Sequence, residues 1–413
     1  MKLLITNIAQ LVNVRTVSKV LRGKDLAELP ILEDAYLLVQ DGNIAGYGSM
    51  KTLAIKKDDI EWEAINANGA TVLPTWCDSH THMVFAASRE DEFVDKINGL
   101  TYAEIAAKGG GILNSAKKIT TISEEELFKL ALVRLNELMH LGTGAIEIKS
   151  GYGLDLANEL KMLRVIKRLK QVSPIPIKAT FLGAHTFPIA FKENHEGYIR
   201  LIIDEMLPAI ANEQLADYID VFCEEGFFSV AETELICNAG KQYGLTPKIH
   251  ANQLNASGGV EVGVKVGALS VDHLETMNDS AFEALSTSNT IGTLLPTAAF
   301  FLRMPFQPAR KLINLNAAIA IASDFNPGSS PSGNMNFVVS ISCIQMKMQP
   351  AEAINAASIN GAYAMGVGDE LGSITIGKKA NLIFTNPIPS INYLPYAFGS
   401  NLIEKVMING HFI

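Results

Sequence analysis

The sequence predicts an α/β fold: a (β/α)8 TIM-type barrel over residues 71–371, with a small β-sandwich domain built from both chain termini, residues 1–70 and 372–413. Three observations predict it. The middle of the chain alternates short apolar segments with helical stretches, the pattern of a parallel sheet crossed by helices. Eight such segments can be counted, the number that closes a barrel. The two ends read instead as short strands joined by turns. The chain of 413 residues exceeds the usual single domain and accommodates a barrel of about 250 residues plus a companion.

Each element has a local cause. In the first part, Lys2–Thr6, Ala35–Gln40, Ile44–Gly48 and Ala64–Ala67 read as strands, with Asp41-Gly42-Asn43 as a hairpin signal. Glu124–His140 reads as a helix: Ser123 can cap it and three glutamates fill its first turn. Leu127, Leu130, Ala131, Val133, Leu135 and Leu138 supply its apolar side. Asn158–Gln171 and Tyr198–Ala216 read similarly. The C-terminal part returns to strands at Gly372-Ser-Ile-Thr-Ile-Gly, Ala380–Thr385 and Lys405–Ile413.

The eight apolar segments end in polar motifs: His80-Thr-His82, Lys149-Ser-Gly-Tyr152, Gly183-Ala-His185, Cys223-Glu-Glu225, His250-Ala-Asn-Gln253, Asp272-His-Leu-Glu275, Leu295-Pro-Thr297 and Ser323-Asp-Phe-Asn326. In a TIM-type barrel the active site lies at these C-terminal strand ends. Five of the eight histidines, His80, His82, His185, His250 and His273, fall there. Residues i and i+2 of an extended segment share a face, so His80 and His82 can converge on one metal ion. His250 and Asp324 complete a set of three imidazoles and one carboxylate, which leaves room for water as catalytic sites do. Such an ion activates water and polarises a carbonyl, and the donors suit zinc and iron alike.

Around this set, His273 reads as a proton shuttle or as an orienter of a ligand. His185 could ligate, contact substrate or pack. Arg89 and Tyr152 are candidates for holding a substrate anion, since a guanidinium matches a carboxylate; the Glu-Asp-Glu after Arg89 equally allows a surface ion pair. Gly109-Gly-Gly111 lacks the Lys and Ser/Thr of a phosphate loop and reads as an active-site loop or a turn. Lys149 raises the question of a carbamylated lysine bridging two metals, but the residue inventory holds no second ligand set and favours one ion.

Composition narrows the class. A hydrophobic fraction of 48% and a charged fraction of 19% indicate a globular protein with a large core. The net charge of −9, without a basic cluster, argues against nucleic-acid or anionic-membrane partners. No run approaches the ~18 apolar residues of a membrane span, and the N-terminus meets polar residues too early for a signal peptide. Cys77, Cys223, Cys237 and Cys343 are scattered, so neither a zinc knuckle nor a disulfide frame is expected. The expectation is a soluble, cytoplasmic protein.

Several stretches together resemble the amidohydrolase superfamily and, within it, the imidazolonepropionase family, along essentially the whole chain. They are residues 80–93 (His-Thr-His-Met-Val-Phe-Ala-Ala-Ser-Arg-Glu-Asp-Glu-Phe), 109–112, 147–154 (Glu-Ile-Lys-Ser-Gly-Tyr-Gly-Leu), 181–185, 250–253 and 323–331 (Ser-Asp-Phe-Asn-Pro-Gly-Ser-Ser-Pro). The resemblance implies one zinc or iron at His80, His82, His250 and Asp324. It implies substrate contacts from Arg89, Tyr102, Tyr152, His185, Gln253, Asn326, Gly328 and Ser329, and a homodimer. The implied reaction is hydrolysis of 4-imidazolone-5-propanoate to N-formimidoyl-L-glutamate in histidine degradation, with His273, Asp324 and His185 catalytic.

Two positions depart from the pattern. Gln253 stands where many related deaminases carry Glu, and a glutamine cannot shuttle protons. Thr297 stands where a small residue such as Gly is expected, and its bulk would narrow the site. Two alternatives remain open: an aminohydrolase of another heterocycle, which would release ammonia, and a non-enzymatic scaffold on the same barrel.

Overall fold

The structure, a computed structural model, describes residues 1–53, 62–100, 104, 108 and 110–413. Sixteen strands form two sheets among these residues. The first belongs to the termini: β1 (Lys2–Val12), β2 (Ile31–Gln40), β3 (Asn43–Ser49), β4 (Glu63–Asn66), β5 (Thr71–Pro74), and, from the far end, β14 (Leu382–Thr385), β15 (Ile403–Ile408) and β16 (His411–Phe412). Long β1 is its axis. It pairs antiparallel with β2 and parallel with both β4 and β5, and β14 joins β5. The sheet bends over a core of Ile5, Ile8, Leu11, Leu37, Val39, Val72 and Leu382.

The second sheet is the barrel: β6 (Trp76–Asp78), β7 (Thr143–Lys149), β8 (Ile177–Ala184), β9 (Tyr218–Cys223), β10 (Thr246–Ala251), β11 (Ser270–His273), β12 (Ile291–Leu294) and β13 (Ile319–Ile321). They lie in sequence order and all neighbours are parallel. Both faces of these strands are covered, so they are buried almost throughout. The barrel closes beyond the strands rather than within them. Thr81 bridges Phe325; Asp324 N–H donates to the His80 carbonyl (3.0 Å), and His82 N–H donates to that of Phe325 (2.9 Å). Asp78 tightens the seam by accepting from the Ser323 N–H at 3.0 Å and from its hydroxyl.

The expected elements return with instructive differences. The helix Glu124–His140 forms with Ser123 accepting from Glu126 N–H. Its buried face is narrower than expected, because Leu130 and Val133 are exposed while Leu127, Ala131, Leu135 and Leu138 are buried. The helix expected over Asn158–Gln171 spans Leu156–Val172, capped by Asp155. The one expected over Tyr198–Ala216 runs from His195 to Glu213 with a π-helical stretch at Leu201–Met206. Pro208 lacks an N–H and crowds the preceding turn, which a wider turn relieves.

The Gly372–Gly377 segment is not a strand; only Ile374 bridges, to Val14, because a left-handed Gly372 turns the chain there. The apolar run before the His-x-His pair divides at Thr75: β5 completes the terminal sheet, and β6 opens the barrel. All four cysteines are free. Among the described residues no helix is long and apolar enough to cross a membrane.

Candidate active site

The closing seam builds a histidine–carboxylate cluster. His80 and His82 lie just past β6, and Asp324 lies just past β13 on the seam's other side. His250 comes from β10, across the barrel. The Nε2 atoms of His80 and His82 are 3.3 Å apart, as are those of His82 and His250. Asp324 Oδ1 lies 3.5 Å from His80 Nε2 and 3.6 Å from His82 Nε2.

One outer nitrogen fixes a tautomer, that of His80. His80 Nδ1 donates to Asp272 Oδ2 at 2.7 Å, and His250 Nδ1 lies 3.0 Å from Asp220 Oδ2, although not aligned for a hydrogen bond. With its proton on the outer side, His80 turns its Nε2 lone pair inward, where the Nε2 atoms of His82 and His250 and the Asp324 carboxylate converge, a donor set that a cation suits. Burial, the ammonium of Lys149 and the neighbouring imidazoles hold His80 well below its ordinary pKa, and burial leads the same shift in His82 and His250.

Below the histidines lies a second, fully buried layer of charges. Lys149 Nζ donates to Glu147 (2.7 Å) and Asp220 (2.8 Å) and lies 3.5 Å from Asp272. Lys248 Nζ donates to Glu147 and to the Ser79 carbonyl, the latter at 3.0 Å. Burial pushes Asp272 up, but Lys248 and Lys149 outweigh it and hold the carboxylate below its usual range. The same carboxylates hold Lys149 above its ordinary value against burial, so it is an ammonium with its protons committed, not a carbamate bridge. Three carboxylates (Glu147, Asp220, Asp272) face two ammonium groups, leaving one negative charge in a dry interior, and buried Asp324 brings a second to the histidines. A divalent metal ion balances that charge and suits the imidazole–carboxylate donors, so the residues present fit the group.

His273, Leu274 and Asp324 hold left-handed backbone, with φ of 90°, 69° and 52°. Such conformations cost about 1–3 kcal/mol each and persist where surroundings impose them. At His273 burial disfavours the charge, but Glu275, 3.4 Å away, raises the imidazole pKa above its ordinary value. Gln307 donates to the same Glu275 oxygen at 2.9 Å. Burial leads in raising the Asp324 carboxyl to about 6.

Above this floor opens a cavity of about 300 Å3. His82, His250, His273 and Asp324 line its base, and Arg89, Tyr152, His185, Gln253, Asn326, Gly328 and Ser329 line its walls. Tyr102 lies outside the described residues. His185 Nδ1 donates to the Gly151 carbonyl at 3.0 Å, its ring stacks on His82, and burial lowers its pKa to about 4, leaving a neutral imidazole. Gly151 is required there: its φ is +105°, and a Cβ would press on His185 Nδ1 at 2.9 Å.

Asn326 spends its amide on its own turn, accepting from Gly328 N–H and Ser329 N–H, both at 2.8 Å, and donating to Asp324 O at 2.6 Å. Ser329 Oγ donates to Asp324 Oδ2 at 3.3 Å. Arg89 is no surface ion pair: its side chain is buried, Glu92 stands 3.7 Å away, and among the described residues its Nε has no partner. Thr297 does not narrow the cavity, because its hydroxyl turns away to donate to the Ser323 carbonyl at 2.7 Å.

Sequence reasoning missed Lys96, Glu92, Phe222, Phe227 and Met304 in the lining. Lys96 had a signal: seven residues after Arg89, it lies on the same face two helical turns on. Phe222, Phe227 and Met304 had none, since apolar residues near strand ends are everywhere in a barrel.

The barrel, its polar rim and the histidine–carboxylate floor define a metal-dependent hydrolase, and the chain belongs to the amidohydrolase family, whose model matches residues 71–413. Within that family it belongs with the imidazolonepropionases. It is 60% identical over 413 residues to the imidazolonepropionase of Flavobacterium johnsoniae, covering 99% of each chain. It is 54% identical to that of Christiangramia forsetii, covering 100% of each. Solved structures share the fold: a 5-methylcytosine deaminase from Klebsiella pneumoniae (TM-score 0.74, 17% identity, 100% and 97% covered) and a guanine deaminase from C. acetobutylicum (0.72, 16%, 100% of each).

Proposed function

We infer that the chain hydrolyses the cyclic amide C–N bond of 4-imidazolone-5-propanoate, giving N-formimidoyl-L-glutamate in histidine degradation. One observation carries the reading beyond the family: a single small cavity has the histidine–carboxylate cluster at its base and the underpaired guanidinium of Arg89 on its wall. A cyclic amide with a carboxylate tail needs both ends. His80, His82, His250 and Asp324 would hold one zinc or iron, and the chemistry such an ion supplies is acidification of water and polarisation of a carbonyl.

The chain's own groups do the rest. Arg89 with Tyr152 holds the propanoate carboxylate and fixes the ring over the cluster. His185 and Gln253 read the ring. Asp324 and His273 take the proton of the attacking water; His273, oriented by Glu275, returns one to the leaving ring nitrogen. Gln253 cannot carry that proton, which argues against a deaminase. A homodimer and a cytoplasmic location belong to the same reading.

The test is turnover of freshly generated 4-imidazolone-5-propanoate, with metal content measured on the same sample and Asp324→Ala as control. Loss of imidazolone absorbance with stoichiometric formimidoyl-glutamate and about one metal per chain is expected. Ammonia release from another heterocycle, without imidazolone turnover, would replace the reading with a deaminase.

A further inference from the structure

We propose that Lys96 is a second cation of the carboxylate subsite, gripping the acid tail of the ligand together with Arg89 and so setting the site's selectivity for an acid tail over an uncharged one. The proposal rests on the reading of this cavity as one that takes a carboxylated ring.

The geometry is specific. Arg89 caps the helix Glu90–Ile97 and Lys96 lies near its end, so one short helix presents both cations to the cavity. Both also meet the same glycine. Lys96 Nζ donates to the Gly328 carbonyl at 3.0 Å, and a Cβ on Gly328 would fall 1.3 Å from Arg89 Nη2. A bare α-carbon is therefore what lets the guanidinium lie against this turn, with the ammonium on the turn's carbonyl.

The charge balance points the same way. Among the described residues Glu92 is the carboxylate lining this end of the cavity, and it is engaged by neutral donors as well as by Arg89. It accepts from Gly111 N–H at 3.1 Å and from Asn114 Nδ2 at 3.0 Å. Two cations against one such carboxylate leave a single positive charge in a half-buried wall, the complement of a single carboxylate. Lys96 is also held below its ordinary pKa, first by burial and then by Arg89, so an added anion relieves a cost already present. A carbonyl is the weaker partner for an ammonium than a carboxylate, so the Gly328 contact can be exchanged or shared when the tail enters.

The experiment titrates the metal-loaded protein with imidazole-4-propanoate and, separately, with tail-less 4-methylimidazole, in wild type, Lys96→Met, Lys96→Arg and Lys108→Met. Lys108 lies outside the cavity lining and pairs with Asp95 at the surface, so its removal changes net charge without touching the subsite. Lys96→Met is expected to weaken the propanoate probe about tenfold while leaving 4-methylimidazole within about twofold. Lys96→Arg should recover most of the loss, and Lys108→Met should bind as the wild type does. In turnover, KM should rise more than kcat falls.

Equal weakening of both probes, no weakening, or a matching loss in Lys108→Met overturns the proposal, as does a wild type indifferent to the tail. Tail discrimination dependent on Lys96 in a protein that fails to hydrolyse the imidazolone would overturn the proposed reaction and leave the subsite standing.

Discussion

The barrel floor and the core of the terminal sheet are equally dry and chemically opposite. Ile5, Ile8, Leu11, Leu37 and Val39 fill the sheet's core with hydrocarbon, whereas Glu147, Lys149, Asp220, Lys248 and Asp272 fill the space beneath the histidine–carboxylate cluster with charge. Burial of apolar area stabilises the first directly, at about 25 cal/mol per Å2. In the second, desolvating five ions costs what their mutual attraction returns, so the layer contributes little net stability. The difference teaches where the molecule tolerates expensive residues. Charges are retained where Asp272 accepts from His80 Nδ1 and Asp220 accepts from the His250 backbone N–H, and hydrocarbon is used where only cohesion is needed.

The contrast can be broken in several ways. The largest effect is expected from Asp324→Ala, which removes a carboxylate from the cluster: kcat/KM should fall about 10^4-fold with loss of bound metal, while the melting curve moves little. Retained activity would take Asp324 out of the site.

Lys248→Met removes one of the two ammonium groups that balance buried Glu147 and should cost about 3–5 kcal/mol in denaturant unfolding, most of it recovered by adding Glu147→Gln. A single variant as stable as the wild type would mean the floor is not balanced pair by pair. Leu37→Ala in the sheet should cost a comparable ~3 kcal/mol through the void it leaves, yet leave kcat within about twofold, because no residue of the sheet's core lines the active-site cavity. A large kcat loss there would tie the two regions together.

Asp272→Asn keeps the shape but weakens the hold on His80 Nδ1, and should reduce metal affinity about 10–100-fold in chelator competition. Affinity equal to wild type would confine Asp272 to charge balance.

The smallest effect sharpens the comparison at the junction. Lys378 is buried with only neutral partners, the Gly368 and Leu371 carbonyls and the Ser18 hydroxyl, and burial lowers its pKa to about 8. The folded-state value is depressed, so between pH 8 and about 10.5 the unfolded chain binds more protons and stability gains as pH rises; below 8 the penalty is fully present. Relative to the wild type, Lys378→Met should flatten that rise by about 1 kcal/mol after screening. Parallel stability curves from pH 7 to 10.5 would contradict it. Lys149, equally buried but facing carboxylates, is shifted the opposite way.

How much was legible follows from how local each feature is. The eight strand ends could be read because a barrel strand buried on both faces is an apolar run that must stop where polar chemistry begins. The four proposed ligands could be read because three are histidines at such stops, and because i and i+2 of an extended segment converge whatever surrounds them; His80 and His82 do so past the end of β6, outside any strand. Gly372–Gly377 misled because alternating Ser-Ile-Thr-Ile describes a strand, but pairing needs a neighbour, and only Ile374 finds one. Leu130 and Val133 misled because helical periodicity gives a face without its width.

By itself, then, the sequence determined the fold class and the family, since periodicity carries the first and short motifs the second. Tertiary structure alone decided that Lys149 is spent on three carboxylates, that Thr297 turns its hydroxyl away, that Arg89 faces the cavity, and that Lys96 meets Gly328. These are contacts between residues up to hundreds of positions apart. Strand order and the closing of the barrel at Thr81 and Phe325 create them, and no local pattern in the chain encodes that closure.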